Sequence, residues 1–373
     1  MAERLGRYEL LKRLGRGGMG EVFLARVPGE MSSPVVLKRL LPHLASDREL
    51  GRLFLNEAGV AARLVHPNVS RVLELGEAGG VFFFTMEFVD GSDLRALGPV
   101  PLELAVRIVA DAGRALHAGH MAVDASGRSL GIVHADVSPK NLLVGLDGVT
   151  RLIDFGMARL GRDEGSMGGT YEYMAPEQAV DGITDAKTDQ FSLGIVLWEL
   201  LTGRRLFGGD SDVLTLDQVV DCRVTRPRQV NPRVPEALDA VVMRMLEKEP
   251  ARRFGDCGEV VTVLERWLTD TRAGDVTQAL SAWMTRRAAP KQRAVAEPVT
   301  ETATPVVAPP APLSVHEEEA LRQLSTMAEP FTLEAIEAGV TLGPGAPPVL
   351  DVAQALVERG VLVRDGDDGF RVS

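Results

Sequence analysis

The sequence has little cysteine and little lysine. Only two of its 373 residues are cysteines, Cys222 and Cys257, and two thiols are too few for a disulfide scaffold or a zinc cluster. Lysine supplies six of the 41 basic residues, so a lysine that falls within a motif is more informative than usual. We therefore expect two ordinary thiols and treat the motif lysines as functional candidates.

Long apolar runs and an excess of positive charge are also missing. No stretch of about 18 apolar residues exists, and the N-terminus lacks an apolar signal core. The formal net charge is −11, whereas proteins that coat nucleic acid or bind a membrane surface usually carry a basic face. These features predict a cytoplasmic protein that binds neither nucleic acid nor a membrane.

The remaining composition is that of a globular protein, and its hydrophobic pattern changes along the chain. Short alternating segments predict strands at residues 8–14, 21–27, 34–40, 69–75 and 81–89, with one helix at 47–64. Helical periodicity then dominates at residues 102–120, 188–201, 235–248 and 259–267, and a glycine-rich, β-rich stretch at 131–170 separates the first two. The pattern indicates a small sheet with one helix, followed by a larger helical region.

A glycine-rich loop lies between the first two predicted strands. Residues 15–20 match G-x-G-x-x-G, but a strand follows them, whereas a helix follows in dinucleotide-binding folds. The Gly-Lys-Ser/Thr ending of a Walker loop is absent. Two interpretations remain: a flexible hairpin turn, or a hairpin whose backbone N–H groups lie over nucleotide phosphates, with Val22 covering the base.

Lys38 ends an apolar strand, where an inward-facing lysine is costly unless it is paired. Glu57 lies 19 residues further on, in the middle of the predicted helix, and is a natural partner. A lysine bridged in this way could hold the α- and β-phosphates of a nucleotide. The alternative is that both residues are exposed surface groups.

Residues 134–141 carry a more specific set of side chains on a loop after a strand. Asp136 can accept a proton from a hydroxyl, Lys140 can neutralise a transferring phosphoryl group, and Asn141 can bind a divalent cation. Asp154 follows another strand, within Asp154-Phe155-Gly156, and can hold Mg²⁺ on nucleotide phosphates. Phosphoryl transfer requires this combination of metal, charge neutralisation and proton acceptor.

In chain order these motifs resemble the eukaryotic-type serine/threonine protein kinases of bacteria, especially those abundant in myxobacteria, over residues 8 to about 270. Further matching pieces are His66-Pro67-Asn68, Ala175-Pro176-Glu177, Asp189 and Arg253. The resemblance implies an α+β, bilobal kinase fold with a small β-rich N-lobe (8–86) and a larger helical C-lobe (90–270). It also implies that Asp189 anchors the catalytic loop and that Arg253 pairs with Glu177.

The resemblance implies roles for the site residues. Asp136 would be the catalytic base, assisted by Lys140, while Lys38 would hold the phosphates of ATP and Glu57 would fix it. Asn141 and Asp154 would bind Mg²⁺. The implied ATP-binding residues are Leu14, Gly15, Arg16, Gly17, Gly18, Met19, Gly20, Glu21, Val22, Val36, Lys38, Met86, Glu87 and Val89. Met86 would line the back of the adenine pocket, and Glu87 and Val89 would offer backbone groups to the base.

One departure from the family pattern concerns regulation. Ala135 stands where the family usually has an arginine that pairs with a phosphorylated activation segment. We therefore hypothesise that the active conformation does not depend on such a phosphate, with Ser166 as the candidate site and Thr170 as a structural residue. The Ser138-Pro139-Lys140 sequence favours Ser/Thr over Tyr acceptors, and Val36 narrows the adenine pocket slightly. The competing hypothesis is a pseudokinase, although the catalytic set is complete.

Beyond the kinase-like region the composition changes twice. Residues 286–314 contain six prolines and no regular period, which predicts a semi-rigid linker. Residues 315–373 show helical segments at 317–327, 333–338 and 349–359 and a hairpin of residues 361–364 and 370–372. This order resembles the winged-helix module of some multidomain bacterial regulators.

The charge of this tail decides between its candidate roles. Residues 315–373 hold eleven acidic and four basic residues, a net of −7, which disfavours binding to DNA phosphates. We therefore expect a contact with a protein partner, against the alternatives of DNA binding and of an appendage without separate function. Thr300, Thr302 and Thr304 in the linker are candidate autophosphorylation sites, with an inert spacer as the favoured alternative.

Overall fold

The computed structural model describes residues 3–17, 20–29, 33–41, 43–44, 47–155, 171–209 and 211–296. It also describes residues 320, 323, 331–332, 352, 362–365 and 369–372. The chain divides into two compact units, Met1–Ala296 and Glu297–Ser373.

The first unit begins with an antiparallel sheet of six strands. The strands are β1 (Arg4–Leu5), β2 (Tyr8–Arg16), β3 (Gly20–Arg26), β4 (Val35–Leu40), β5 (Val72–Ala78) and β6 (Val81–Glu87). Their order in the sheet is β1-β2-β3-β4-β6-β5. One face buries Tyr8, Phe23 and Phe83, and the other face packs on a helix.

That helix, α1 (Arg48–Ala61), begins where the side chain of Asp47 accepts hydrogen bonds from the N–H groups of Glu49 and Leu50. Its buried face meets the sheet through Phe54, whose ring centroid lies 5.2 Å from that of Phe84. The sequence had predicted this small sheet with its single helix.

The rest of the first unit is mainly helical. Its helices are α2 (Leu102–His120), α3 (Pro176–Asp181), α4 (Ala186–Thr202), α5 (Asp212–Asp221), α6 (Pro227–Val230), α7 (Glu236–Met245), α8 (Cys257–Asp270) and α9 (Val276–Ala296). A small antiparallel sheet contains β7 (Gly91–Asp93), β8 (Leu142–Gly145) and β9 (Thr150–Leu152). Helix α4 is buried on nearly all sides, which places it at the centre of this lobe.

The bounds of α2 agree with the prediction, but the linker prediction is wrong over its first eleven residues. Residues 286–296 continue helix α9. The physical reason is an apolar stripe, Val276, Leu280 and Met284, which is buried in the core and anchors the helix. Residues 297–319, including Thr300, Thr302 and Thr304, lie outside the described residues.

The second unit contains a three-stranded antiparallel sheet. Strands β10 (Phe331–Thr332), β11 (Leu362–Asp365) and β12 (Gly369–Val372) are ordered β10-β12-β11. Leu362 is opposite Val372, so the predicted C-terminal hairpin is confirmed. The three helices predicted for this unit fall mostly on residues that the structure does not describe, although residues 320, 323 and 352 are helical.

Across the described ranges, none of the helices combines the length and the apolar character needed to span a membrane.

Candidate active site

A buried carboxylate anchors the loop that carries most of the candidate site. Asp189, in the first turn of α4 and 1% exposed, accepts hydrogen bonds from the backbone N–H groups of His134 (2.8 Å) and Ala135 (2.7 Å). His120, at the end of α2, places Nε2 2.8 Å from the same carboxylate. The expectation that Asp189 holds this loop is therefore correct, whereas nothing in the sequence had singled out His120.

The anchoring bonds hold the backbone in an unusual conformation. Ala135 has φ +63°, in the left-handed region, which costs a residue other than glycine about 1–2 kcal/mol. Hydrogen bonds to a charged acceptor are worth about 1.5–3 kcal/mol, so the two bonds to Asp189 outweigh this cost. The residue held in this conformation immediately precedes Asp136.

The Asp136 carboxylate is held between two neighbours on the same loop. Lys140 Nζ lies 3.0 Å from Asp136 Oδ2, and Asn141 Nδ2 donates to the same oxygen at 3.0 Å and to the Asp136 carbonyl at 2.8 Å. The Asp136 side chain is 34% exposed. It is thus oriented and still accessible to a substrate hydroxyl.

His134 joins this loop to the segment that contains Asp154. The buried ring accepts at Nδ1 from the Asp136 N–H (3.2 Å) and donates from Nε2 to the Ile153 carbonyl (2.7 Å), which is the pattern of the neutral Nε2–H tautomer. The Phe155 ring packs against it edge to face, with centroids 4.9 Å apart. Phe155 is thereby buried next to the catalytic loop.

Asp154 and Asn141 are brought together by the β8–β9 pair. Leu142 is opposite Leu152, and the Ile153 N–H donates to the Asn141 carbonyl at 3.0 Å, so Asp154 follows at the level of Asn141. Asp154 has φ +61°. Since the Asn141 amide nitrogen is used by Asp136, its Oδ1 is the atom left for a cation. Carboxylate and amide oxygens are the donors that Mg²⁺ prefers, so this pair fits the implied ion.

Lys38 lies on β4 and reaches across to Asp154. Its Nζ is 2.9 Å from Asp154 Oδ1, and its side chain is 16% exposed. We expected Glu57 as the partner, but the ion pair that the structure shows for Lys38 is with Asp154. Glu57 lies on α1, half-buried. Sequence spacing cannot distinguish the two carboxylates, because the choice depends on how the lobes meet.

The glycine loop is a hairpin, which settles its structural context. Strands β2 and β3 are antiparallel, with Arg16 opposite Glu21, and the Gly17 N–H donates to the Gly20 carbonyl at 2.8 Å. A Cβ on Gly20 would lie 2.7 Å from the Arg39 carbonyl oxygen, so only glycine allows β3 to approach β4 here. Gly18 and Met19 lie outside the described residues, as does Gly156.

Four of the implied ATP-binding residues share one face of the sheet. Val22 is opposite Lys38, and Val36 is opposite Met86. Because Val36 and Lys38 are two residues apart on one strand, all four side chains project from the same face. Leu14 and Gly15 lie near the end of β2, where Gly15 is opposite Val22 and a Cβ on Gly15 would meet open space.

Glu21 and Glu87, both implied ATP-binding residues, also make contacts within the N-lobe. Glu21 is buried against Arg39, at 2.9 Å, and this arginine lowers the pKa of the Glu21 carboxyl; Glu21 therefore braces the hairpin. The Glu87 N–H already donates to the Arg71 carbonyl, and its own carbonyl accepts from Ser70 Oγ at 3.1 Å. That carbonyl retains one lone pair for a base. Val89 lies in the connection between β6 and β7.

Glu177 and Arg253 form the expected ion pair at two distances, 2.6 and 2.8 Å. The arginine side chain is fully buried and also donates to the carbonyls of Glu247, Lys187 and Lys248. This pair ties the start of α3, just after residues 156–170, to the loop before α8. Ser166 and Thr170 themselves lie outside the described residues.

The comparison with known families agrees with this geometry. The protein kinase domain family matches residues 8–265. The chain belongs to the protein kinase family. Members of the family are ATP-dependent phosphotransferases.

Individual relatives of this kinase are bacterial. It is 35% identical to the tyrosine-protein kinase MasK of Myxococcus xanthus over 75% of this chain and 46% of the relative. It is 39% identical to the serine/threonine-protein kinase PknB of Mycobacterium leprae over 68% of this chain and 42% of the relative. The chain thus spans less than half the length of these two curated relatives.

Among solved structures, the kinase domain of Mycobacterium tuberculosis PknI aligns with a TM-score of 0.54 and 28% identity. The alignment covers 71% of this chain and 97% of that one. The match extends over both lobes of the kinase and confirms the bilobal fold, with a β-rich N-lobe and a helical C-lobe.

Proposed function

We propose that this chain is a serine/threonine protein kinase, which transfers the γ-phosphoryl group of ATP to serine and threonine hydroxyls of other proteins. The observation that carries the proposal is the linked set of side chains around Asp136: Lys140 and Asn141 at 3.0 Å, with Lys38 on Asp154 at 2.9 Å. A serine/threonine kinase such as PknB of Mycobacterium leprae among the relatives supports the choice of acceptor. This proposal favours an active enzyme over a pseudokinase.

In the proposed reaction, Asp136 accepts the proton of the substrate hydroxyl while the hydroxyl oxygen attacks the γ-phosphorus. A new P–O bond forms, the bond to the β–γ bridging oxygen breaks, and ADP leaves with the bonding electrons. Asn141 holds the Asp136 carboxylate in place, and Lys140 supplies positive charge beside it. The Asp136 carboxylate is therefore oriented before the substrate arrives, and Lys140 lies close enough to compensate charge on the transferring phosphoryl group.

The nucleotide would lie between the glycine hairpin and the face that carries Val22, Val36, Lys38 and Met86. Lys38 would bond to the phosphates, and Glu57 remains the residue we propose to fix it. Oxygens of Asp154 and Asn141 would hold Mg²⁺, which supplies charge neutralisation to the phosphates. The Lys38–Asp154 ion pair compensates two half-buried charges beside this site.

The domain organisation is part of the proposal. The kinase domain would span residues 8–270, with its N-lobe at 8–86 and its C-lobe at 90–270, and α9 would extend it. Residues 297–314 would act as the linker, and residues 315–373 as a winged-helix-like domain. The three-stranded sheet of β10, β12 and β11 supports this assignment, since a strand joined to a C-terminal hairpin is the β portion of such a domain.

The tail would contact a protein partner and not DNA, because its net charge is −7. The whole chain would act in the cytoplasm, without a nucleic-acid or membrane ligand. Salt-dependent binding of the full chain to duplex DNA would contradict this part of the proposal.

The deciding experiment incubates the purified full chain with labelled ATP, Mg²⁺ and two protein acceptors, one acidic and one basic. We expect transfer by the native chain and a loss of about 10²–10⁴-fold in Asp136→Asn, because the amide cannot accept the hydroxyl proton. Asp181→Asn, an exposed aspartate at the end of α3, is the matched control and should keep the native rate.

Three results would count against the proposal in different ways. Nucleotide binding without transfer by the native chain would indicate a pseudokinase. Equal activity in native and Asp136→Asn proteins would remove Asp136 as the base. Label recovered only on tyrosine after acid hydrolysis would move the acceptor class toward that named for MasK.

A further inference from the structure

A groove on the helical lobe lies beside the catalytic loop. It has a volume of about 360 Å³ and is lined by Pro139 of that loop, by Tyr173, by the last turns of α4, and by Leu94, Arg95, Gly98, Pro99 and Val100. Pro139 is three residues from Asp136. A substrate whose hydroxyl reaches Asp136 would therefore place nearby residues of its chain within reach of this groove, since an extended chain advances about 3.3 Å per residue.

Three arginines lie around the groove: Arg95, Arg204 and Arg205. Such a concentration stands out in a chain with a formal net charge of −11. Arg95 and Arg205 are each 62% exposed. Arg204 is also exposed, and it forms no ion pair with any carboxylate of the described residues. The groove thus presents guanidinium groups that can still bind an anion.

The acidic residues nearby do not cancel this charge. Arg205 pairs with Glu172, and Arg95 pairs with Asp93 at 3.4 Å, which is a weak exposed contact. Glu199 is the acid in the groove lining, and it accepts from the Tyr173 hydroxyl (2.6 Å) and the Leu206 N–H (3.2 Å). These bonds turn the Glu199 carboxylate toward the protein, and burial raises its pKa.

The groove also offers apolar surface between the arginines. Leu94, Val100 and Leu200 contribute to its lining. A ligand of this groove therefore needs acidic groups to pair with the arginines and aliphatic carbons to cover the apolar residues between them. A glutamate side chain has both a carboxylate and a short aliphatic chain.

We propose that this groove binds an acidic segment of the protein substrate, so that the kinase selects serine or threonine hydroxyls flanked by glutamate or aspartate. This inference rests on the proposed function, because it assigns a substrate class to the same active site. Arginine suits the task, since its planar guanidinium can bind a carboxylate through two parallel hydrogen bonds.

The test compares two synthetic peptides with one serine, identical except that the residues flanking the serine are glutamate in one and glutamine in the other. For the native full chain we expect kcat/KM to be roughly tenfold higher for the glutamate peptide, mainly through a lower KM. The preference should shrink as ionic strength rises, because salt screens exposed charges.

Charge variants then test whether the arginines of this groove cause the preference for the glutamate peptide. Within each variant, the ratio of the two kcat/KM values cancels any loss that both peptides share. Arg204→Glu should abolish or invert the ratio, and Arg204→Lys should retain part of it. Arg266→Glu, on the exposed side of α8, is the matched control and should leave the ratio unchanged. If Arg204→Glu does not fold, the ratio measured for Arg95→Gln tests the groove instead.

The outcomes separate this inference from the function on which it rests. Equal use of both peptides by an active native kinase would overturn the acidic preference and leave the kinase assignment intact. A preference that survives both Arg204→Glu and Arg95→Gln would place the acidic contact outside this groove. Failure of the native chain to phosphorylate any acceptor would instead remove the proposed function.

Discussion

Ala135 combines two features that bear on regulation. Its side chain cannot pair with a phosphate, and its backbone at φ +63° is held by the Asp189 carboxylate, 2.7 Å from its N–H. Asp189 also binds the N–H of His134 and lies beside His120. These bonds hold the catalytic loop from within the helical lobe.

We predict that phosphorylation of Ser166 is not needed for activity. Ser166→Ala should keep the rate of phosphoryl transfer within about twofold of native, because position 135 carries no guanidinium group that could pair with a phosphate on Ser166. The measurement is kcat/KM of Ser166→Ala and of the native protein, each after preincubation with ATP and Mg²⁺. In an Ala135→Arg background we expect Ser166→Ala to lower kcat/KM, because a phosphate on Ser166 could then pair with the arginine and alanine cannot carry one. A loss above about tenfold in Ser166→Ala alone would refute the hypothesis.

At the scale of elements, the ends of α4 and α8 differ in how well their residues suit the backbone conformation. Helix α4 has a capping box at Asp185 and ends at Gly203, which has φ +69°. Helix α8 begins with the Asp256 cap but is followed by Arg272 at φ +52°. Glycine adopts this conformation freely and arginine does not, so the end of α8 carries avoidable strain.

Arg272→Gly should therefore raise the free energy of unfolding by about 0.5–1 kcal/mol. Glycine removes the cost of the left-handed conformation, and part of this gain is lost because glycine increases the conformational entropy of the unfolded chain. Arg266→Gly, the same change inside α8, should destabilise the protein by about 0.8–1 kcal/mol. Thermal unfolding midpoints measured under identical conditions should move in opposite directions. If both midpoints fall, the strain at Arg272 is already compensated elsewhere.

At the scale of the whole molecule, α9 extends the kinase domain beyond the family match at residue 265. Val276, Leu280 and Met284 are buried in the main core. Ser281 Oγ donates to the Leu146 carbonyl at 2.6 Å, next to the β8–β9 turn. Gly148, at φ +77°, lies so close that a Cβ would be 2.2 Å from the Thr277 carbonyl oxygen. The helix is thus an integral part of this domain.

We predict that truncation after Ala296 leaves the first unit folded, whereas truncation after Asp270 does not. Removing three buried side chains at about 1.5–3 kcal/mol each costs roughly 5 kcal/mol or more, a large share of the stability of a domain. Thermal unfolding and ATP-dependent transfer of the two truncated chains provide the measurement. Equal stability of both chains would show that α9 contributes no net burial.

Leu280→Ala in the full chain tests the same helix by a point mutation. It should lower the free energy of unfolding by about 2–5 kcal/mol.

Much of this protein could be predicted from local patterns. The helical period gave the bounds of α2, alternation gave the strands of the N-lobe, and the kinase resemblance anticipated the Glu177–Arg253 pair and the Asp189 anchor. Helix α9 was misread because prolines from residue 290 onward dominate the local composition, while the stripe that folds it has only three apolar members. Its burial depends on a core formed by distant segments.

The residue types of the site, its glycine hairpin and its chemistry are determined by the sequence itself, since each motif is local and its side chains carry their function with them. Only the tertiary structure revealed that Lys38 pairs with Asp154, because that carboxylate lies 116 residues away along the chain. It also decided that Arg95 and Arg204 border one groove. Contacts between distant segments depend on how helices and sheets pack in three dimensions, and no local pattern encodes that packing directly.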